Sequence, residues 1–478
     1  MTSSTGLPYS RSVRLLLDVE DSEASELLEP LPGTALPLWP RVRMFFASAL
    51  ATVELGETGV PQRQSRAKTY HRLARSFLPS RHDAAGLRGH SPVVIVASGV
   101  TTSRENGYER NWLVGDLAEA VSPEAALLQW NPPRPGSKPA FPRTRSLDAI
   151  SARTDLRAYR RDLSAETATA IDDLVHRYAV LFSGAISAEQ ERTIAASVRY
   201  QERRAPLLQD ALLRVIDRLD PHTVVLEDAS YGHRGGLVQE MKKDGRHVAE
   251  PQHGWIGPSH AAYNFGSIFR HEGLHSQIPD ELLLFGEYWG RNIRHPAKLT
   301  TIGKPHLQRA MMTAPPVAER ENIVLIASSI TDPEATTSLI LALRKKLPDW
   351  RLRFRPHPSE RATLAERYPS LIDVDAVEID PHDDLYASLP DCRAVIGVAS
   401  TVLFEAASFG CDILVRRSPF TEYYVGEMFG TVYDDARDTD AMADRLRAGS
   451  TPVDVESLWA PNSLDLVRRW ALTAGTTD

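Results

Sequence analysis

Residues 394–410, AVIGVASTVLFEAASFG, restrict the fold more than any other part of the chain. Residues 394–398 form a short apolar run rich in β-branched side chains and without polar alternation, the pattern of a strand covered on both faces. Residues 402–409 bring apolar side chains back at helical spacing, and Gly410 is placed to end that helix. A buried strand that passes straight into a helix is half of a βα unit, from which parallel sheets are built. Ser400 and Thr401 fall at the junction. There, free backbone N–H groups and the positive end of the helix dipole converge on a spot suited to a phosphate. The plain alternative is that Ser400 only caps the helix.

The same alternation recurs along the chain. Before residue 300, strands are expected at 13–19, 92–98, 223–228, 246–252 and 282–285, with a helical pattern for about thirty residues from Ser187 and a further helix at 237–244. Residues 231–236, Tyr-Gly-His-Arg-Gly-Gly, make a turn at the carboxyl end of one strand, where open α/β sheets bind their ligands. Residues 38–53 read as a core helix rather than a membrane-surface one. The basic segment 62–89 and the proline-rich loop 131–142 carry no assigned role. Residues 301–306 and the Pro315-Pro316 pair interrupt the pattern as a linker would. Strands are then expected at 322–327, 351–355, 376–379, 394–398 and 412–415, with helices at 334–347, 360–367, 402–409 and 464–472. The fold class that follows is α/β, with two doubly wound Rossmann-like domains facing a cleft: 1–303 with helical insertions, 304–460, and a terminal helix and tail at 461–478.

The 478 residues carry a formal net charge of −7, which argues against a general nucleic-acid binder. Cys392 and Cys411 are the two cysteines, too few for a disulfide framework or a cysteine zinc cluster, and they fit a reducing cytoplasm. No window reaches the roughly 18 to 20 apolar residues of a membrane span. Residues 1–6 lack the basic and apolar regions of a signal peptide, so a cytoplasmic location is expected.

Three places can carry chemistry. His357 follows a strand and lies between Pro356 and Pro358, which fix φ on either side of it. Ser328 and Ser329 end the first strand after the linker and join the same rim, with a simple turn role as the alternative. His253 follows a strand and precedes Gly254, which places an imidazole suited to general-base work at the sheet edge. Glu227 and Asp228 are alternative bases there, or orient that imidazole. A competing signal is His271-Glu-Gly-Leu-His275, the H-E-x-x-H pattern of zinc peptidases, with Glu287 or His295 as third ligand. Gly273 weakens a helix at the centre of that motif and Pro279 limits its continuation.

Three elements stand in order: Gln252-His253-Gly254 with Tyr263 ten residues after the histidine, Arg355-Pro-His-Pro358, and Ser400-Thr-Val-Leu-Phe-Glu-Ala406. Together they resemble the GT-B glycosyltransferases of bacterial surface polysaccharides: capsule-polysaccharide transferases, polysialyltransferases and teichoic-acid glycerophosphotransferases. Residues 303–306, Gly-Lys-Pro-His, look like the Gly-x-Pro step between the domains of such chains. The resemblance covers residues 220–420 and leaves 1–200 unmapped. It implies that His357, Ser400 and Thr401 hold the donor phosphate and that Glu405 supports the loop or touches the donor ribose. It implies His253 as base, with Glu272 as a second candidate because the polysialyltransferases place an acidic pair before glycine.

The expected protein is a metal-independent, inverting transferase without a resident cofactor. It moves a sugar or polyol phosphate from a nucleotide-activated donor, cytidine-linked on the resemblance alone, to a carbohydrate hydroxyl. Peripheral association with the inner membrane face follows by analogy. The alternatives are a zinc hydrolase using His271, Glu272 and His275, and a GT-B-like binding protein without catalysis. Oligomeric state is left open.

Overall fold

A computed structural model describes residues 9–55, 72–78, 80, 82–99, 101–134, 136–328, 330, 332–372, 377–421, 430–433, 438–449, 453 and 455–474. Ser329 and residues 62–71 of the basic segment lie outside the described residues.

Val93–Ala97 (β1), Ala126–Gln129 (β2), Thr144–Ser146 (β3), Thr223–Leu226 (β4), His247–Pro251 (β5), Glu281–Leu284 (β6) and Lys298–Thr301 (β7) build one sheet. Its order is β7-β6-β5-β4-β1-β2-β3 and every pairing is parallel. Ile323–Ala327 (β8), Arg351–Arg355 (β9), Val377–Ile379 (β10), Ala394–Gly397 (β11), Asp412–Arg416 (β12) and Thr431–Tyr433 (β13) build the second. Its order is β10-β9-β8-β11-β12-β13, again parallel throughout. The class is therefore α/β with two doubly wound, Rossmann-like sheets. The unbroken apolar runs VVIVA of β1 and IVLIA of β8 are buried at every position, as strands covered on both faces must be.

Each sheet reverses direction once. The first grows from β1 through β2 to β3 and then restarts on the other side of β1 with β4. The second grows from β8 through β9 to β10 and restarts across β8 with β11. Such reversals open a crevice beyond the carboxyl ends of the two central strands. In the first sheet Ser98 and Glu227 flank it, and in the second Ser328 and Ser400 do.

The helices that matter below are Arg11–Asp21 (α1), Trp39–Leu55 (α2), Ala165–Leu181 (α3), Ala188–Leu219 (α4), Gly235–Lys243 (α5), Pro333–Lys346 (α6), Thr401–Ser408 (α7) and Ser463–Thr473 (α8). Residues 13–19, expected as a strand, belong to α1. Val13, Leu16, Leu17 and Glu20 are buried at helical spacing, and the Ser10 hydroxyl caps the turn by accepting from the Val13 N–H. The core-helix reading of residues 38–53 holds: Trp39, Val42, Phe46 and Leu50 are buried, and Arg43, buried on the same helix, pairs with Glu20 at 2.8 Å. Residues 360–367, expected as one helix, are a 3-10 turn, Arg361–Thr363, followed by a single turn, Leu364–Arg367. Glu360 is fully buried there as a hydrogen-bond hub, so it cannot serve as a solvent-facing first-turn acid. No helix among the described residues is long and apolar enough to cross a membrane.

The chain crosses between the sheets at Gly303-Lys304. Gly303 has φ +73°, and a Cβ there would sit 2.4 Å from Ser463 Cβ at the start of α8. Only glycine fits both the left-handed backbone and that approach. Lys304 is buried, and its ammonium pairs with Glu405 of α7. The rings of Trp112 and Phe285 lie 5.0 Å from it, Tyr386 5.3 Å and Trp459 5.6 Å. Trp289 packs on Phe404 of α7 with ring centroids 5.0 Å apart and donates its indole N–H to the Leu458 carbonyl at 2.8 Å. α8 returns to the first sheet, where Trp470 donates to Glu281 at 2.8 Å. One apolar cluster consequently runs through both halves of the molecule.

Candidate active site

The carboxyl edges of the two sheets meet. Arg134, beyond β2, pairs with Asp383, beyond β10, at 2.6 Å, while Arg355 at the end of β9 donates to the Asp383 carbonyl at 2.9 Å.

On the first edge, β4 delivers Asp228 and Ser230, and β5 delivers Glu250 and His253. Asp228 takes a left-handed backbone, φ +62°, which turns the chain sharply off the strand. His253 is about a quarter exposed; its Nδ1 faces the Tyr263 hydroxyl at 3.3 Å and Asp228 Oδ1 at 3.7 Å. Tyr263 donates its proton to Glu250 Oε1 at 3.1 Å, so its oxygen is left to accept from Nδ1–H. The Nε2 lone pair then points away from those partners, with the Tyr231 hydroxyl 3.5 Å off. That is the tautomer a general base needs, and Asp228 is placed to stabilise the imidazolium that proton uptake creates.

Burial shifts several neighbours towards their neutral forms. Burial pushes His260 and His295 down to about 3, so neither carries charge near neutral pH. Burial, followed by the charge of Asp228, raises Glu227. Burial pushes Glu250 up to about 8 although Ser230 and Tyr263 hydrogen-bond to it. The sign for stability follows. Below the ordinary value of 4.5 both folded and unfolded carboxyls are protonated; from there to about 8 only the unfolded one ionises. Stability therefore falls with rising pH across that window, by up to ~1.4 kcal/mol per unit, and the slope vanishes above it. Urea unfolding from pH 5 to 9 should show this slope in the wild type and a flatter profile in Glu250→Gln.

On the second edge, Ser400 caps α7 by accepting from the Val402 N–H at 3.3 Å, and Thr401 begins the helix. The cap that the sequence suggested is real, and it lies at the β8/β11 crevice. Arg416 at the end of β12 reaches Asp332, the cap of α6, at 3.2 Å. To span from β12 to the helix that follows β8, the guanidinium passes over the end of β11. Its Nη2 is buried without a hydrogen-bond partner among the described residues. Ile330, beyond β8, has φ +68°, an outlier for a β-branched residue. An under-satisfied arginine thus ties the end of β12 to the start of α6, on the two strands that flank β11, which leads into Ser400.

His357 lies two strands away, on the loop after β9, with an exposed ring. Its Nδ1 accepts from the Ser359 N–H at 3.2 Å, so the neutral ring presents Nε2–H as a donor. The Ser328 hydroxyl is taken up by Glu360 and Tyr368. The Glu405 carboxylate is taken up by Lys304 and by the Tyr386 hydroxyl at 2.9 Å.

The competing zinc motif does not assemble. Glu272–His275 is a single turn, and both nitrogens of His295 are engaged, with Ser230 at 2.9 Å and the Ala297 N–H at 3.1 Å. Glu287 is exposed and faces Arg291 at 3.5 Å. Among the described residues no group of three His, Cys, Asp or Glu is placed to hold a metal ion. Glu272 is exposed, on the turn whose Leu274 packs into the helical layer of α1, α2 and α3, apart from the His253 network. Ser230, Glu250, His260 and Arg416 were missed from sequence. A carboxylate inside the apolar strand β5 and an arginine at the end of β12 were the available signals.

Fold and edges together define a two-domain α/β protein of GT-B arrangement, with a titratable cluster on one edge and an anion-suited crevice on the other. No family model matches the chain, and no curated protein does. Among solved structures it is similar to the UDP-GlcNAc 2-epimerase of Methanocaldococcus jannaschii at 11% identity and a TM-score of 0.44, covering 79% of this chain and 98% of that one. It is also similar to an α,α-trehalose-phosphate synthase from Burkholderia vietnamiensis at 12% and 0.40, covering 82% and 98%. The glycotransferase of kitacinnamycin matches at 12% and 0.42, covering 81% and 96%. These are likenesses of overall chain path.

Proposed function

We propose that the protein is a glycosyltransferase that moves a sugar or polyol phosphate from a nucleotide-activated donor to a carbohydrate hydroxyl. The observation that carries this is the pairing of the two edges: His253 held by Asp228 and Tyr263 on one, Arg416 with the Ser400 and Asp332 helix starts on the other. His253 Nε2 takes the acceptor proton while the acceptor oxygen attacks in line. The bond from the transferred group to the donor phosphate breaks, and the departing charge is met by Arg416, Ser400, Thr401 and the His357 Nε2–H. The reading is inverting and assigns that charge to side chains and helix dipoles rather than to a metal.

The test is a thermal-shift panel of cytidine, uridine, guanosine and adenosine mono- and diphosphates, with and without divalent ions. One nucleotide family should raise the melting temperature, since a ligand at a hundred times its Kd stabilises by about 2.7 kcal/mol. Arg416→Met and Ser400→Ala should each weaken it, the first at least tenfold. A panel without any shift, or one unmoved by both variants, removes the proposal.

A further inference from the structure

A cavity of about 1170 Å³ lies in the first domain between α2, α4 and α5, away from the β8/β11 crevice. That exceeds the roughly 300–1,000 Å³ of ordinary small-molecule sites. Pro206, in the interior of α4, is part of the cavity wall, and the ring removes one rung of the helix ladder there. Much of the wall is apolar: Met44 and Phe45 from α2, Leu208 and Leu212 from α4, Leu237 from α5, and Trp130.

The polar part of the wall is unbalanced. Arg41, Arg192, Arg204 and Arg234 line it against one acid, Glu189. Arg204 is already paired with Asp155 at 2.6 Å, and Arg234 lies over the Trp130 ring at 5.1 Å. Arg41 is a tenth exposed, has Glu202 at 3.5 Å through Nη1, and keeps Nε and Nη2 without a partner among the described residues. Arg192 is at the exposed lip and has no ion pair among the described residues. The under-satisfied guanidinium fork of Arg41, with Arg192 at the lip, beside an apolar wall matches a molecule with an apolar body and an anionic head. The cavity also ends at the candidate base, because the Tyr231 ring is part of its wall while its hydroxyl faces His260 at 3.2 Å and His253 at 3.5 Å.

We propose that this cavity binds an amphipathic organic anion, an aliphatic or aromatic body bearing one phosphate or carboxylate. On the transferase reading, and resting on it, that ligand is the acceptor or the anchor the acceptor hangs from. Calorimetric titration with octyl phosphate and octanoate, against octanol and inorganic phosphate, tests the binding itself. Saturable binding of either amphiphilic anion is expected, with octanol and inorganic phosphate at least tenfold weaker. Ala196→Trp, at an exposed position on the cavity lip, should abolish it by filling the space, and Arg41→Met should weaken it at least tenfold. Should Arg41→Met not fold, Arg192→Gln at the lip takes its place with the same expectation. No binding of either anion, equal binding of octanol, or affinities unchanged in the variants overturns the proposal. Because the nucleotide panel is read separately, anion binding without nucleotide binding would leave the cavity assignment standing and remove the transferase reading.

Discussion

Lys304→Met should cost about 3–5 kcal/mol, because removing one partner of a buried ion pair strands the other charge. Here the stranded group is the Glu405 carboxylate, buried on α7 with the Tyr386 hydroxyl as its remaining donor. The methionine keeps most of the stem's packing among Trp112, Phe285 and Trp459, so the loss reports charge rather than volume. Thermal melting and urea unfolding should both register it. The companion variant separates the pair from its surroundings: Lys304→Met with Glu405→Leu should regain most of the stability, since a well-packed apolar replacement of a buried pair is close to neutral. Additive losses in the double variant would show that the two side chains do not act as a pair. Lys304 leads from the first sheet into the second and Glu405 lies one turn from Ser400, so the single variant should also weaken nucleotide binding.

That pair shows what could be read from sequence and what could not. The runs forming β1, β4, β8, β11 and β12 are largely apolar stretches bounded by turn residues, β9 alternates arginine with Leu352 and Phe354, and all six were placed within a residue or two. β2 and β3 escaped because Ala126–Gln129 and Thr144–Ser146 are short and carry little β-branched signal. α1 was misread because a window holding Val13, Leu16, Leu17 and Val19 satisfies a buried-strand pattern unless Glu20 and the Ser10 cap are counted with it. The junction at Ser400 was legible, since a strand-to-helix step is a local property. Arg416 was not, because its relevance depends on β12 pairing with β11, a contact that periodicity cannot reveal. Likewise the resemblance implied that Glu405 supports the loop or touches the donor ribose, but not that its carboxylate faces a lysine about a hundred residues earlier in the chain.

His253 carries the other large effect. His253→Ala should lower kcat by about 10²–10⁴, the usual range for a general base, with nucleotide affinity and melting temperature close to wild type. A partly exposed ring at a sheet edge contributes little to the core, so the stability readout separates catalysis from folding. Asp228→Asn should lower kcat by a smaller factor while leaving KM for the donor unchanged, because it acts through the imidazole. Tyr263→Phe removes the hydroxyl that fixes Nδ1–H and should behave in the same direction. Added imidazole should restore part of the activity of His253→Ala and none of that of Arg416→Met, since only the first lacks a proton acceptor. Turnover in His253→Ala within about threefold of wild type would move the base elsewhere, and a collapse of kcat in Glu272→Gln instead would place it on the turn that opens at Glu272. The geometry favours His253. Its ring is a quarter exposed and its Nε2 keeps the lone pair when Nδ1–H is donated to Tyr263, whereas Glu272 stands outside the network.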